Sequence, residues 1–303
     1  MHDVIIIGGS YAGLSAALQL GRARRRVLVI DGGQRRNRFA SSSHGFLGHD
    51  GQAPEAIAAR GRAEVLAYPT VVWREARVDQ AHAIDGGFAV RAGSDEHRAR
   101  RLILATGVVD ELPQVPGLVE RWGRSVFHCP YCHGYELDLG RLGVLATGPM
   151  SIQQAAIVAG WGAPGQTTLY LDGALEPDAE QLADLAERGI QVERARVAAV
   201  AGEIDASHPS IEVQLGDGRA TRLDGLFLLP RTRHPVPFGE QLGCELEAGP
   251  TGPFYRVDPT RETTVPGVFA CGDAAVAAGA VSLAVGDGAV AGFSANRSLV
   301  FSR

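Results

Sequence analysis

The chain has 303 residues, 45% hydrophobic and 21% charged, which is enough apolar material for about two cores of ~150 residues each, although one large barrel is also compatible. Its 39 glycines, about 13% against a usual ~7%, show no three-residue period, which excludes collagen and implies many tight turns. A net charge of −5, with scattered basic residues that are all arginine, argues against a nucleic-acid partner.

Met1-His2-Asp3 runs straight into the first strand with no charged n-region or cleavage site, so the cytoplasm is the expected compartment. Val4-Ile-Ile-Ile7 is a short β-branched run, followed at once by Gly8-Gly-Ser-Tyr-Ala-Gly13 and a helical stretch from Leu14 to Leu20. A second strand, Val27 to Ile30, ends in Asp31. Strand, glycine loop, helix and terminal acid make a βαβ dinucleotide fold with its ribose-binding residue. Gly8 suits the tight turn and Gly13 the close packing of helix on strand. The middle position carries Ser10, small enough for the backbone to approach a pyrophosphate and itself able to donate to it.

Further on, residues 53 to 68 read as a helix, 70 to 73 as extended, and 83 to 91 as a hairpin around Asp85-Gly-Gly87. A buried strand, Leu102 to Leu104, enters Ala105-Thr-Gly107, and Leu112-Pro-Gln-Val-Pro-Gly117 suits a crossing between domains. A second βαβ unit runs from Leu142 through the loop Ala146-Thr-Gly148-Pro-Met-Ser151 and a helix at 152 to 159 to a strand at 168 to 171. The uncharged stretch 142 to 171 is broken by glycines, Pro149 and two glutamines, so it is no membrane span. Strands are expected at 197 to 201, 211 to 215 and 223 to 229. The chain then returns through Arg231 to Pro235 to a strand ending in Cys271-Gly-Asp273 and a helix at 282 to 299. The first domain is therefore discontinuous, with the second inserted into it.

Of four cysteines, Cys244 and Cys271 are isolated and read as small buried hydrophobes, whereas Cys129 and Cys132 form a C-x-x-C that a reducing cytosol does not need for structure. The following His133 also makes the motif C-x-x-C-H, the attachment pattern for c-type haem, and His128, Cys129, Cys132 and His133 can be written as zinc ligands. Haem attachment needs export and an axial ligand that the chain hardly offers, and four ligands within six residues do not converge easily on one tetrahedron. No metal is expected.

The glycine loop, Ala105-Thr-Gly107, the inserted C-x-x-C and the late Cys-Gly-Asp273 together resemble the low-molecular-weight thioredoxin reductases over essentially the whole chain. Cys129-Pro-Tyr-Cys132-His-Gly-Tyr-Glu136 looks like their histidine-bearing branch, which includes dithiol oxidases of epidithio and dithiolopyrrolone compounds. The resemblance implies an α/β fold of two Rossmann-like domains. Residues 1–112 and 244–303 would bind FAD, and 113–243 would carry the redox disulfide and a degenerate NAD(P)H-type site. It implies Gly8, Ser10 and Gly13 at the pyrophosphate, Asp31 at the adenosine ribose and Asp273 on the ribityl chain. It implies Tyr11, Ala12, Gly32, His44, Val78, Thr106, Gly107 and Gly272 as further cofactor contacts. Cys132 would lie against the isoalloxazine while Cys129 exchanges with the substrate sulfur, in a homodimer.

Exchange needs a thiolate, and an unperturbed thiol of pKa ~8.5 is only ~3% ionised at pH 7. His133 titrates near neutrality and is expected to act as cationic partner and proton carrier, with His128 as second candidate. The second nucleotide loop is degenerate, since Ala146 and Ser151 stand where glycines are needed, and Leu171-Asp-Gly-Ala-Leu-Glu176 offers no arginine to a ribose phosphate. NADPH is disfavoured. NADH is left open through Asp172. Gly279-Ala-Val-Ser282 replaces the Arg-Gln pair that the family has near the flavin. The expected function is FAD-dependent thiol–disulfide exchange with a thioredoxin-like protein or a small dithiol, its electron partner not necessarily a nicotinamide. Oxygen-dependent oxidation of a small dithiol is the alternative, and a non-catalytic flavin- or zinc-binding interaction protein is the alternative of another class.

Overall fold

The computed structural model describes residues 1–204, 210–276 and 279–301. The chain divides into two compact units, one of residues 1–38, 46–109 and 232–303, the other of residues 39–45 and 110–231.

The first unit is built on β1 (His2–Ile7), α1 (Tyr11–Arg22), β2 (Val27–Asp31), α2 (Pro54–Leu66), β3 (Val71–Glu75), β4 (Gln80–Ile84), β5 (Gly87–Ala92) and β6 (Asp95–Leu104). These strands order as β3-β2-β1-β6-β5-β4, and the late strand Val268–Ala270 adds in parallel to β6. β1 lies between parallel neighbours, with Ile5 opposite Leu28 on one side and Leu102 on the other. Such a strand is covered on both faces, which is why its sequence is a continuous apolar run. Val4, Ile5 and Ile6 are fully buried, each side chain contributing on the order of 1.5–3 kcal/mol. The hairpin expected around Asp85 is β4 and β5, antiparallel with Ala81 opposite Val90. A long helix, Val281–Phe301, packs on α1, with Ser15 Oγ donating to Val285 O at 2.7 Å.

The second unit holds a five-stranded parallel sheet in the order 190–193, 167–170, 142–145, 225–227, 126–127 and an antiparallel sheet of 197–201, 211–215 and 220–223. The strand expected over 223 to 229 is two strands in two sheets. The break falls at Asp224, whose Oδ2 accepts from the Arg141 N–H at 2.7 Å. A helix that the sequence reading passes over, Ala179–Glu187, is started by a capping box in which Asp178 and Gln181 satisfy each other's backbone N–H.

The return to the first unit comes earlier than residue 244. Residues 232–243 belong to it because Phe238 is buried in its core and Gln241 Oε1 accepts from the Ala81 N–H at 3.0 Å. Among the described residues no helix is long and apolar enough to cross a membrane.

Candidate active site

In the first unit, β1 delivers the chain into the glycine loop. Gly8 has φ 103°, and a Cβ there would sit 2.2 Å from Ala105 O; one on Gly13 would sit 1.9 Å from Gly8 O. Both positions exclude a side chain, so α1 starts directly against the end of the sheet. Ser10 precedes α1 without a side-chain capping bond, which leaves the first helical amides facing outward. At the end of β2, Asp31 Oδ1 accepts from the Gly9 N–H at 3.1 Å. The Thr106 hydroxyl is buried without a hydrogen-bond partner, and Gly32 and Gly107 border open space. Arg36 Nη1 reaches Asp273 Oδ2 at 2.9 Å. A glycine cradle, an orphaned hydroxyl, an acid at the ribose distance and an arginine beside the second acid fit a dinucleotide diphosphate.

Other expected contacts are differently engaged. Ala12 is buried under the loop, and Val78 sits in the hydrophobic core, so its side chain is committed to packing. The Tyr11 hydroxyl donates to Pro54 O at 3.1 Å and accepts from Asn37 Nδ2 at 3.1 Å. His44 groups with the second unit, where its Nε2 lies 3.4 Å from Glu136 Oε1 and 3.1 Å from Ser42 Oγ. Trp73 on β3 is a residue that the sequence reading missed. A Cβ on Gly9 would meet its ring at 2.3 Å, and the Arg62 guanidinium lies over that ring, 4.6 Å from its centroid. Only the β2–β3 register, with Val29 opposite Trp73, puts it there.

In the second unit Cys129 caps the one-turn helix Pro130–His133, which carries Cys132 one turn on. Both cysteines are thiols in this structure. The Cys132 thiol shares a hydrogen bond with the Cys129 sulfur, and that neighbour, with burial and the nearby Glu136 carboxylate, pushes the Cys132 thiol well above its ordinary value. His133 stacks on Phe127 at 4.3 Å between centroids and 21° between planes. Burial holds its pKa below the ordinary histidine value, against a hydrogen bond to the Cys129 backbone and the nearby Glu136 carboxylate, which raise it. Burial thus opposes the cationic role expected of His133, because desolvation penalises the charged form. The backbone carbonyl of His128 accepts from Gln154 Nε2 at 3.2 Å. Among the described residues no group of three or more His, Cys, Asp or Glu is placed to hold a metal.

The degenerate nucleotide loop is closed on itself. Ser151 is fully buried, and its Oγ accepts from the Thr147 N–H at 3.0 Å while the Thr147 hydroxyl donates to Leu229 O at 2.7 Å. Asp172 Oδ1 accepts from the Val197 N–H at 2.9 Å. Folding does bring arginines that the 171–176 segment lacks, but Arg194 pairs with Glu176 and Arg196 lies 4.0 Å from Asp172.

Residues 2–288 match the pyridine nucleotide-disulphide oxidoreductase family. The chain belongs to this family. Among its relatives, the thioredoxin reductase sirT of Leptosphaeria maculans is 34% identical over 320 residues, covering 98% of this chain and 94% of that protein. The crystal structure of an oxidoreductase from Agrobacterium tumefaciens superposes with a TM-score of 0.94 at 54% identity, covering 100% and 99% of the two chains. That of HlmI gives 0.90 at 36% identity, covering 99% and 92%. The protein is a thioredoxin reductase-like, FAD-dependent disulfide oxidoreductase with two dinucleotide-binding folds.

Proposed function

We propose that the enzyme moves electron pairs between FAD and a small dithiol or a thioredoxin-like protein through Cys129 and Cys132, and that nicotinamides are poor partners. The observation that carries this reading is the placing of Cys129 and Cys132 at the two ends of one helical turn, close enough for their sulfurs to share a hydrogen bond, so that a disulfide can form and open between them.

In the reducing direction, Cys129 attacks one sulfur of a substrate disulfide. The S–S bond breaks and the departing sulfur takes a proton. Cys132, having lost its own proton to a base, attacks the Cys129 sulfur of the mixed disulfide, forms the Cys129–Cys132 bond and releases the second substrate thiol. Substrate oxidation is the same sequence reversed. FAD, when bound, accepts or supplies the two electrons that interconvert the cysteine pair and its disulfide. His133 is the base we assign to the Cys132 proton, with His128 as the second candidate. Gly8, Ser10, Gly13 and Thr106 hold the dinucleotide, Asp31 its ribose and Asp273 its ribityl side.

The closed loop at Thr147 and Ser151 supports a non-nicotinamide electron partner. An amide already bound to Ser151 is withdrawn from a pyrophosphate. This favours the second reading, dithiol oxidation with oxygen as the final acceptor. A homodimer is the assembly that we assign, supported by exposed Leu283, Val290, Phe293 and Val300, which recur at seven, three and seven residues along one face of the long helix. Anaerobic reduction of the flavin by dithiol, compared with NADPH and NADH, tests the function.

A further inference from the structure

Asp287 is a carboxylate in the dry interior of the first unit. It lies on the helix Val281–Phe301 with only 4% of its side chain exposed, and it joins two distant parts of the chain. Oδ2 accepts from the buried Gly272 N–H at 2.7 Å, and Oδ1 pairs with Arg261 Nε. Gly272 directly precedes Asp273 and opens the turn Gly272–Ala274. The same helix is tied to α1, the helix that follows the glycine loop, through Ser15 and Val285.

Burial raises the pKa of Asp287, and Arg261 and the Gly272 amide oppose that rise. A buried ion pair is poor value as a stabiliser, because desolvating both charges costs several kcal/mol per ion and a well-packed apolar pair often does as well. What an apolar pair does not do is fix an amide in one direction.

We propose that Asp287 is a positioning residue for the flavin site: held by Arg261, it fixes the Gly272 amide and thereby the aim of the neighbouring Asp273 carboxylate toward the cofactor. The inference rests on the reading of Asp273 as a flavin contact. Asp287 acts through Asp273, so the two should behave as one unit in a double-mutant cycle.

The experiment is a set of FAD dissociation constants for wild type, Asp273→Ala, Asp287→Ala and the double variant, read from the fluorescence of released flavin. Each single change should weaken binding on the order of tenfold, as for loss of a hydrogen bond to a charged group. The double variant should be about as weak as Asp273→Ala alone. Wild-type affinity in Asp287→Ala, or effects that multiply in the double variant, overturns the proposal. If Asp273→Ala alone binds FAD normally, the assignment of Asp273 fails instead.

Should Asp287→Ala not fold, Asp287→Asn keeps an acceptor for Gly272 and Arg261→Gln removes a partner that is itself 30% exposed. We expect Asp287→Asn to bind FAD more tightly than Arg261→Gln, and equal, wild-type affinity in both contradicts the proposal. A purely structural role lowers the melting temperature of these variants without changing FAD affinity below it.

Discussion

The imidazole of His133 lies on the ring of Phe127, centroids 4.3 Å apart and planes within 21°. The stack holds a histidine in an apolar place, where burial lowers its pKa. This imidazole is the base that we assign to the Cys132 proton. We expect His133→Gln to slow dithiol–disulfide exchange about 10²-fold near pH 7, with the loss shrinking as pH rises and thiols ionise unaided. An unchanged pH–rate curve would transfer the role to His128 or to water.

The two thiols should differ in reactivity. Because the neighbouring Cys129 and burial push the Cys132 thiol up, brief alkylation of the reduced protein at pH 7 should label Cys129 first, as peptide mass spectrometry would show. Cys129→Ser and Cys132→Ser should each abolish turnover. Preferential labelling of Cys132, or normal exchange in either variant, contradicts the assignment.

Asp31 is expected to hold the adenosine ribose, and it also fixes the Gly9 amide at 3.1 Å. Asp31→Ala should weaken FAD by about 1–2 kcal/mol, measured by titrating the apoprotein. Equal affinity in wild type and variant removes Asp31 from the site.

His234 offers a stability test outside the redox centre. It is stacked on Tyr255 at 4.2 Å, its nitrogens are buried without partners, and its pKa is lowered from 6.5 by burial. The unfolded chain takes up a proton at this residue before the folded one does. Its contribution is therefore complete well above the ordinary histidine value of about 6.5 and is lost as pH falls through and below that value. The melting temperature should drop over that range, and His234→Gln should flatten the drop. A variant with the wild-type slope assigns the acid sensitivity to other groups, His133 among them.

Much of the first nucleotide fold was legible because its signals are local. Gly8, Gly13 and Asp31 are fixed by one strand, one turn and one helix, all within a single βαβ unit. Trp73 was illegible for the opposite reason, since only the pairing of β2 with β3 sets it against Gly9. His44 is a cofactor contact expected from the resemblance alone, and what the order of the chain does not encode is that residues 39–45 group with the second unit and bring it to Glu136. The C-x-x-C-H motif named the groups to which we assign the chemistry but not their surroundings: the burial of His133 comes from packing on Phe127, and no spacing encodes it.

The central claim is that electrons pass between the flavin and a dithiol through Cys129 and Cys132, with nicotinamides left aside. Its most direct test is anaerobic stopped-flow reduction of the bound flavin by a small dithiol, by NADPH and by NADH, in wild type and in Cys129→Ser. The account predicts fast bleaching by dithiol in wild type and none in the variant. It also predicts slow reduction by both nicotinamides, because the Thr147 amide is internally bound. Rapid reduction by NADPH that saturates at micromolar concentration, or dithiol reduction that persists in Cys129→Ser, would contradict it.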